Sequence, residues 1–277
     1  IGKFLSDISI NWTVLPLKDE EITALDKEVE SYEAGQTNPD IENNLYRRNE
    51  FFASLAISKA ENSQLTFKEA EDVYRLVIGG KKLTQKDHDK VEFFNIVKTF
   101  REINSSVVDV SKIDVNFIKK LHLDLTKGLD IYRSGKFRDN DLVRVGDYVP
   151  ASYKQIEPEV KELLLWLKKN LTIANIGFFH VALYALHPFS NGNKRVCRIL
   201  EHVLLRSAGI NKKNLYSPSY YYHKERDRYY KFLLASLDKK NLTYFVSFFE
   251  EAIVYSQASV LKTAVEIKRS EFITKFP

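Results

Sequence analysis

The segment from His187 to Arg198 constrains the fold of this chain more than any other part of its sequence. It reads H-P-F-S-N-G-N-K-R-V-C-R, and apolar residues then recur at helical spacing from Val196 to Leu204. A glycine between two asparagines can form a tight turn, because these residue types tolerate positive φ angles. Backbone N–H groups at the start of a helix attract anions. The segment therefore predicts a phosphate-binding loop that leads into a buried helix.

The side chains of this segment add the chemistry of a nucleotide site. The imidazole of His187 has an intrinsic pKa suited to taking a proton from an attacking hydroxyl, although a lone histidine on an apolar stretch is more often a core or capping residue. Arg195 and Arg198 are three residues apart and can both reach a phosphate at the helix start. A run of cations is usually a solvated face, but here it stands beside a glycine turn. The pattern predicts a phosphate site with a base at its edge.

The segment resembles the signature of the Fic family, H-P-F-x-[D/N]-G-N-[G/K]-R-x-x-R, and fills every fixed position. The resemblance implies transfer of a nucleotide moiety, most often AMP from ATP, onto a protein hydroxyl. It implies that His187 is the base and that Asn191 orients a Mg²⁺ ion that accompanies ATP. It assigns phosphate binding to Gly192, Asn193, Lys194, Arg195 and Arg198. Lysine at position 194 also occurs in the Doc-like branch of the family, so phosphate transfer is the alternative reaction.

A second resemblance concerns regulation. Many Fic proteins carry an inhibitory helix that ends in [S/T]-x-x-x-E-[G/N], and Glu61-Asn62 fits its end, with Ile57 where Ser or Thr is expected. The resemblance implies that Glu61 pairs with the second arginine of the signature, Arg198, and keeps ATP in an unproductive pose. Two alternatives are a solvent-facing glutamate and a glutamate that positions water for AMP removal.

Residues 135–150 alternate apolar and polar side chains and include turn-forming residues. This pattern predicts a short β-hairpin, with an ordered surface loop as the alternative. The segment resembles the Fic flap, which holds a target protein by strand addition through Val143, Arg144 and Val145.

The segment 220–230 mixes aromatic and cationic residues, as a surface for single-stranded nucleic acid might. It also resembles the R-x-x-Y-Y helix of Fic proteins, with Arg226, Tyr229 and Tyr230 in place. That resemblance implies that Tyr229 and Tyr230 lie by the nucleoside pocket. Packing of the two tyrosines in the core is the other interpretation.

Helical patterns dominate the rest of the chain, so the predicted fold is mainly α: a Fic-type helical core with a β-hairpin flap and an N-terminal helical lobe. Residues 1–103 are assigned to the lobe, residues 104–255 to the catalytic core and residues 256–277 to a C-terminal helix. Predicted helices span 45–62, 67–78, 91–103, 115–125, 157–169, 173–186, 225–238 and 242–268.

Bulk composition excludes several classes of protein. With 277 residues, a net charge of +5 and 44% hydrophobic residues, the chain fits an ordinary globular enzyme that is too weakly basic to indicate nucleic-acid binding by itself. A single cysteine excludes an intrachain disulfide framework. The sequence has no apolar run long enough to predict a membrane span. Together with the resemblance to the Fic family, this composition leads us to expect a cytoplasmic, bacterial adenylyltransferase. Two competing hypotheses are a non-catalytic nucleotide-sensing module and a regulatory lobe of a larger DNA-binding protein. The sequence leaves homo-oligomer formation open.

Overall fold

The computed structural model describes residues 1–10, 12, 14–34, 38–129 and 133–275. Within these ranges the chain folds into helices joined by short connections, as the helical patterns predict. The α-helices are α1 (Lys3–Ile8), α2 (Asp19–Glu30), α3 (Leu45–Lys59), α4 (Phe67–Ile78), α5 (His88–Asn104), α6 (Val115–Thr126), α7 (Ile156–Lys169), α8 (Ile173–Leu186), α9 (Asn193–Ser207), α10 (Pro218–Lys224), α11 (Arg226–Asp238) and α12 (Thr243–Lys275). Two 3₁₀ turns span Val110–Lys112 and Tyr153–Gln155.

Helix α8 is the centre of the main hydrophobic core. All of its residues except Asn175 are buried, which is expected of a helix that is apolar on every side. It packs against α7, α9 and α12. At Gly177 an added Cβ would lie 2.4 Å from the ring of Phe249, so the glycine permits α12 to approach α8 closely. The 187–198 segment follows the end of α8 and includes the start of α9. It is therefore anchored in the most buried part of the molecule.

Helices α3, α4 and α5 enclose a second, smaller core. Its buried members are Ile41, Phe51, Leu65, Ala70, Val73, Tyr74, Phe93 and Val97. A buried ion pair at 2.8 Å between Glu50 of α3 and Arg101 of α5 fixes the two helices to each other. This part of the predicted lobe presents the turn after α3 to the start of α9.

The predicted division at residue 256 falls inside one continuous helix. Helix α12 runs through this position without a break and packs on α2, α8, α10 and α11. Residues on both sides of the boundary, such as Ile253 and Ala264, are buried in the main core. The last segment is therefore not a separate element, because burial against the core continues along the helix.

The β-hairpin predicted for residues 135–150 is not formed. Among the residues that the structure describes, this segment contains one isolated antiparallel bridge, between Val145 and Tyr148, and no strand. The backbone groups of the segment bond to side chains instead of to a second strand. Arg138 donates to the carbonyls of Asn140 and Ala151, and Asp141 accepts the N–H of Tyr153. The segment is an ordered loop, the alternative that the sequence left open.

None of the helices within the described ranges combines the length and the apolar character that crossing a bilayer would require.

Candidate active site

The loop between α8 and α9 reverses the chain with two residues in the left-handed region. His187 ends α8 with φ 51° and ψ 60°, and its N–H donates to the carbonyls of Leu183 and Tyr184 at 3.1 Å. Gly192, with φ 86°, precedes the first residue of α9. A left-handed histidine is a strained conformation that persists only where the surroundings hold it. The loop is therefore built to present His187 at a fixed position beside the start of α9.

The imidazole of His187 is held in its neutral form. Burial, together with the positive charges of Arg138 and Lys194, lowers its pKa to about 4. Nδ1 is buried, and the ring meets that of Tyr184 edge to face with the centroids 5.4 Å apart. An unprotonated imidazole at neutral pH can accept a proton, as a general base must.

Arg138 holds the backbone of His187 from the other side. Its Nε donates to the His187 carbonyl at 2.7 Å, and its guanidinium also donates to Leu186 and Ala151. The side chain is only 3% exposed, and its own N–H donates to the carbonyl of Pro188 at 2.9 Å. Arg138 thus connects the flap to the base. No pattern in the sequence predicted this role, because the carbonyls of Leu186 and His187 that Arg138 holds lie 48 and 49 residues further along the chain.

The amide side chains of the loop bond within the loop. Asn193 accepts the N–H of Phe189 at 3.0 Å and donates to its carbonyl at 2.8 Å. In this structure the Asn193 amide holds the loop closed, and its contact with phosphate stays a prediction. Asn191 is exposed, and its Oδ1 accepts the N–H of Gly192 at 2.9 Å. Asn191 Oδ1 thus stands where an oxygen of a bound anion would meet this N–H.

Arg195 is fully buried and lies between two carboxylates. Its Nε is 3.6 Å from Oε1 of Glu61, and its Nη1 is 3.5 Å from Oε2 of Glu92. The predicted partner of Glu61 was Arg198, so this prediction is corrected: Glu61 pairs with the first arginine of the segment. The side chain has no exposed surface in this structure, and the assignment of Arg195 as a phosphate ligand stays a prediction. Arg195 supports the loop from below.

Glu92 of α5 was not predicted as part of the site. It is 2% exposed, and burial raises its pKa to about 7, with the charge of Glu61 adding to the rise and that of Arg195 opposing it. No local pattern could have indicated Glu92, since its partner lies on another helix. It also lies 3.6 Å from His88, one turn earlier on α5.

Arg198 lies in an aromatic cage. Its guanidinium carbon is 4.6 Å from the ring centre of Tyr229 and 5.5 Å from that of Tyr222. Within the described ranges no carboxylate lies within ion-pair distance of it. Aromatic faces hold a guanidinium without neutralising it, so Arg198 keeps its charge for an anion.

Tyr229 is placed in the core and not at a ligand surface. It is fully buried, and its hydroxyl is 2.9 Å from Nε2 of His180. In this structure Tyr229 therefore packs in the core, the other interpretation of the sequence, and its place by a nucleoside pocket stays a prediction. Tyr230 is half-buried and lies closer to the loop: Lys194 Nζ is 3.1 Å from its hydroxyl. Tyr229 thus packs in the core, and Tyr230 contacts Lys194.

Asn62 connects the turn after α3 to α11. Its backbone is left-handed, with φ 60°, and its Oδ1 accepts a hydrogen bond from Arg226 at 2.9 Å. The helix that precedes it ends at Lys59, three residues earlier than predicted, and Glu61 follows in the turn. Glu61 is therefore presented by a turn that is anchored at the adjacent residue.

A cleft of about 190 Å³ opens where these elements meet. Its walls are formed by Glu61, Tyr184, His187, Ser190, Asn191, Gly192, Asn193 and Lys194. The cleft is smaller than the roughly 300 Å³ at the lower end of ligand pockets. It brings together the imidazole of His187, the loop, one cation and the carboxylate of Glu61, which forms part of its wall.

The donors at the cleft match a Mg²⁺ ion that arrives with phosphates. Asn191 Oδ1 keeps a free lone pair besides its bond to Gly192, and Mg²⁺ in nucleotide sites takes most of its ligands from phosphate and water. No group of three His, Cys, Asp or Glu side chains able to hold a metal occurs in the part of the chain that the structure describes. The donor set therefore fits a shared ion and not an all-protein cage.

The flap residues predicted to bind a target have different exposures. Arg144 is exposed, Val143 is half-buried and Val145 is buried in the isolated bridge. Leu142, just before them, is 85% exposed. The guanidinium of Arg144 donates to the carbonyl of Val143 at 2.7 Å and to that of Asp141 at 2.8 Å.

The described residues form a helical protein in which the loop between α8 and α9 carries His187 beside a cleft at the start of α9. In a comparison with known proteins, residues 112–205 match the model of the Fic/DOC family, which covers α6 to α9 and the flap. This region of the chain is therefore similar to the Fic/DOC family.

Curated relatives carry the name protein adenylyltransferase Fic. Those of Drosophila persimilis and Drosophila yakuba are 27% and 29% identical over 164 residues, which is 57% of this chain. The matched region is 30% and 31% of those proteins, so the chain corresponds to about three tenths of their length.

Solved structures share the fold. A Fic family protein from Desulfovibrio desulfuricans G20 superposes with a TM-score of 0.73 at 22% identity, over 91% of this chain and 76% of that one. A Fic-domain signalling protein from Bacteroides thetaiotaomicron gives a TM-score of 0.68 at 14% identity, over 90% and 97% of the two chains.

Proposed function

We propose that this chain transfers AMP from ATP to a hydroxyl group of a target protein. The observation that carries the proposal is the neutral imidazole of His187 in one cleft with the N-terminus of α9 and Lys194. Attack of a hydroxyl on a phosphate requires a base next to groups that bind the phosphate. The loop 187–192, called the anion loop below, places His187 next to the start of α9. The names of the curated relatives agree with this reaction class.

In the proposed step the target oxygen attacks the α-phosphorus of ATP. The new bond joins that oxygen to phosphorus, the bond from the α-phosphorus to the bridging oxygen breaks, and pyrophosphate leaves. The hydroxyl proton passes to His187 at Nε2, because Nδ1 is buried. The N–H groups at the start of α9 and the charge of Lys194 stabilise the oxygens that become more negative.

A Mg²⁺ ion bound with ATP would neutralise phosphate charge, with Asn191 as its ligand from this chain. Arg198 supplies a further positive charge, since its aromatic cage leaves it without a carboxylate partner in the described residues. Pyrophosphate is the more charged product, so cations near its oxygens favour its departure.

We further propose that Glu61 inhibits the transfer reaction. Its carboxylate occupies part of the cleft and is fixed by Arg195 and by the neighbouring Asn62–Arg226 bond. A negative charge there repels the phosphates of ATP and takes space that they need. Removal of the Glu61 side chain opens the cleft without disturbing the base.

The flap is the proposed docking site for the target. The segment 142–146 is mostly exposed, and an extended peptide can add to it through main-chain bonds. The guanidinium of Arg144, which covers two of the flap carbonyls, has to move aside for this. Deletion of residues 142–146 should therefore abolish target modification while ATP binding persists.

Phosphate transfer is the second candidate, and Lys194 is the residue that favours it. The experiment uses the Glu61→Gly variant with ATP labelled at either the α- or the γ-phosphate. Label on protein from α-labelled ATP alone supports AMP transfer, and label from γ-labelled ATP alone supports phosphate transfer. Loss of the label on adding His187→Ala assigns the reaction to this site. Absence of label from both nucleotides would contradict the proposed transferase.

A further inference from the structure

His122 of α6 lies directly beneath the anion loop. It is 1% exposed, and its ring stacks on Phe189 with the centroids 3.9 Å apart and the planes 1° from parallel. Its Nε2 is 2.9 Å from the carbonyl oxygen of Asn191. An added Cβ at Gly192 would lie 3.3 Å from the same Nε2, so the loop rests on the imidazole edge. Phe189, Asn191 and Gly192 of the loop thus all lie against the ring of His122.

The hydrogen bonds of His122 fix its tautomer. The N–H of Gly135 donates to Nδ1 at 3.0 Å, so Nδ1 carries no proton and acts as the acceptor. Nε2 of a neutral imidazole then carries the hydrogen and donates to the carbonyl of Asn191. Gly135 stands at the start of the flap segment. His122 therefore connects the flap and the anion loop through one ring with assigned donor and acceptor sides.

The bond to Asn191 sets the orientation of the next N–H group. The carbonyl of Asn191 and the N–H of Gly192 belong to one planar trans peptide, so they point in opposite directions. With the carbonyl held by His122, the N–H turns away from α6. In this structure it meets Oδ1 of Asn191 at 2.9 Å, on the cleft side of the loop.

We propose that His122 is a positioning residue for the transfer reaction, which aims the Gly192 N–H at a phosphate oxygen of the bound nucleotide. This inference rests on the proposed function. His122 itself touches neither substrate nor reacting atoms. Its two bonds and its stacking on Phe189 fix the loop before the nucleotide arrives, so that binding does not have to order it.

The test compares variants of His122 in the Glu61→Gly background. His122→Phe keeps a flat ring over Phe189 but loses both hydrogen bonds. His122→Gln can still donate to the carbonyl of Asn191, whereas the shorter His122→Asn cannot reach it. His202→Phe is the matched control: His202 is also buried, stacks near Phe100 and bonds to a side chain at 2.7 Å, but it has no contact with the loop. The measurements are the Kd for ATP by calorimetry, KM and kcat for label transfer, and Tm.

We expect His122→Phe to raise the Kd and the KM for ATP by about tenfold or more, as the loss of an N–H contact to a charged oxygen implies. His122→Gln should recover most of the affinity and His122→Asn should not. His202→Phe should lower Tm to a similar extent with the Kd within about twofold of its parent.

An unchanged Kd in His122→Phe would overturn the inference, and so would an equal loss in the control. If His122→Phe does not fold, equal Kd values for the Gln and Asn variants would overturn it. The proposed function fails separately: the parent Glu61→Gly variant would then neither bind ATP nor transfer label, whatever stands at position 122.

Discussion

The carboxylate of Glu61 lies 3.6 Å from Nε of Arg195, the first arginine of the 187–198 segment, and not beside the second, Arg198. Arg195 is buried, so this ion pair connects the turn after α3 to the inside of the anion loop. Glu61 thereby has two places in the structure: its side chain forms part of the cleft wall, and its carboxylate pairs with the arginine that lies beneath the loop.

We expect the Glu61→Gly variant to bind ATP at least about tenfold more tightly than the parent protein. The substitution removes a negative charge and a side chain from the space next to the loop, and tenfold corresponds to about 1.4 kcal/mol. Calorimetric titration with ATP measures this. Glu42→Gly, a glutamate in an exposed turn of the same lobe, should leave the Kd unchanged. Equal Kd values for Glu61→Gly and the parent would show that Glu61 does not obstruct the site.

Arg195→Met should lower the free energy of unfolding by about 3 kcal/mol. The substitution leaves the buried carboxylates of Glu61 and Glu92 without this counter-charge, and breaking a buried pair costs about that much. The double variant Arg195→Met with Glu92→Gln should recover part of the loss, because one buried carboxylate is then neutral. Urea unfolding of the three proteins checks both statements. A double variant no more stable than Arg195→Met would refute the pairing.

Arg138→Lys should slow label transfer by the Glu61→Gly variant by about tenfold or more. A lysine ammonium cannot span the carbonyls of His187 and Ala151 that the guanidinium holds together, so the base loses its fixed position. Arg133→Lys is the control, because Arg133 pairs at the surface with Asp139 and lysine keeps that charge. The transfer rates of the two variants should differ clearly. Similar rates would contradict the role of Arg138 in fixing the position of His187.

Glu250 gives the protein a stability that falls as the pH rises. Burial raises the pKa of Glu250 to about 9, and the adjacent Asp19 adds to the rise, so the folded state holds a proton that the unfolded chain releases above about pH 4.5. The free energy of unfolding should therefore decrease from about pH 5 to about pH 9 and then level off, by at least about 1.4 kcal/mol, the equivalent of one pKa unit.

Glu250→Gln should remove most of this pH dependence. The amide can donate to Asp19 and accept the N–H of Lys18, as the protonated carboxyl does. Denaturant unfolding at pH 6 and pH 9 measures the effect, with the exposed neighbour Glu251→Gln as the control. A parent protein of equal or greater stability at pH 9 would contradict the assignment.

Local patterns were sufficient for the helices of the core. Helix α8 has the predicted bounds. Thr66 and Asp114, which directly precede the predicted helices at 67–78 and 115–125, each accept an N–H in the first turn of their helices. Helix α2 was not predicted, because its buried stripe contains Asp26 between Ile22 and Val29 and shows no continuous apolar face.

Contacts between distant segments were beyond the reach of these patterns. The partner of Glu61 was predicted from the resemblance alone, and the choice between Arg195 and Arg198 depends on which side of α9 faces the turn after α3. Arg138 and His122 bond mainly to backbone groups, which have no signature in a sequence. The 187–198 segment predicted that a site exists, while its supporting residues became visible only in the fold.

In the proposed function, this chain transfers AMP with His187 as the base and Glu61 as the inhibitor. The most direct test is label transfer from α-labelled ATP with Mg²⁺ in a bacterial lysate, by the parent, Glu61→Gly and Glu61→Gly with His187→Ala. We predict labelled protein with Glu61→Gly, little with the parent, and a loss of at least about a hundredfold on removal of the imidazole. Equal labelling by the single and double variants would contradict His187 as the base, and equal labelling by the parent and Glu61→Gly would contradict inhibition by Glu61.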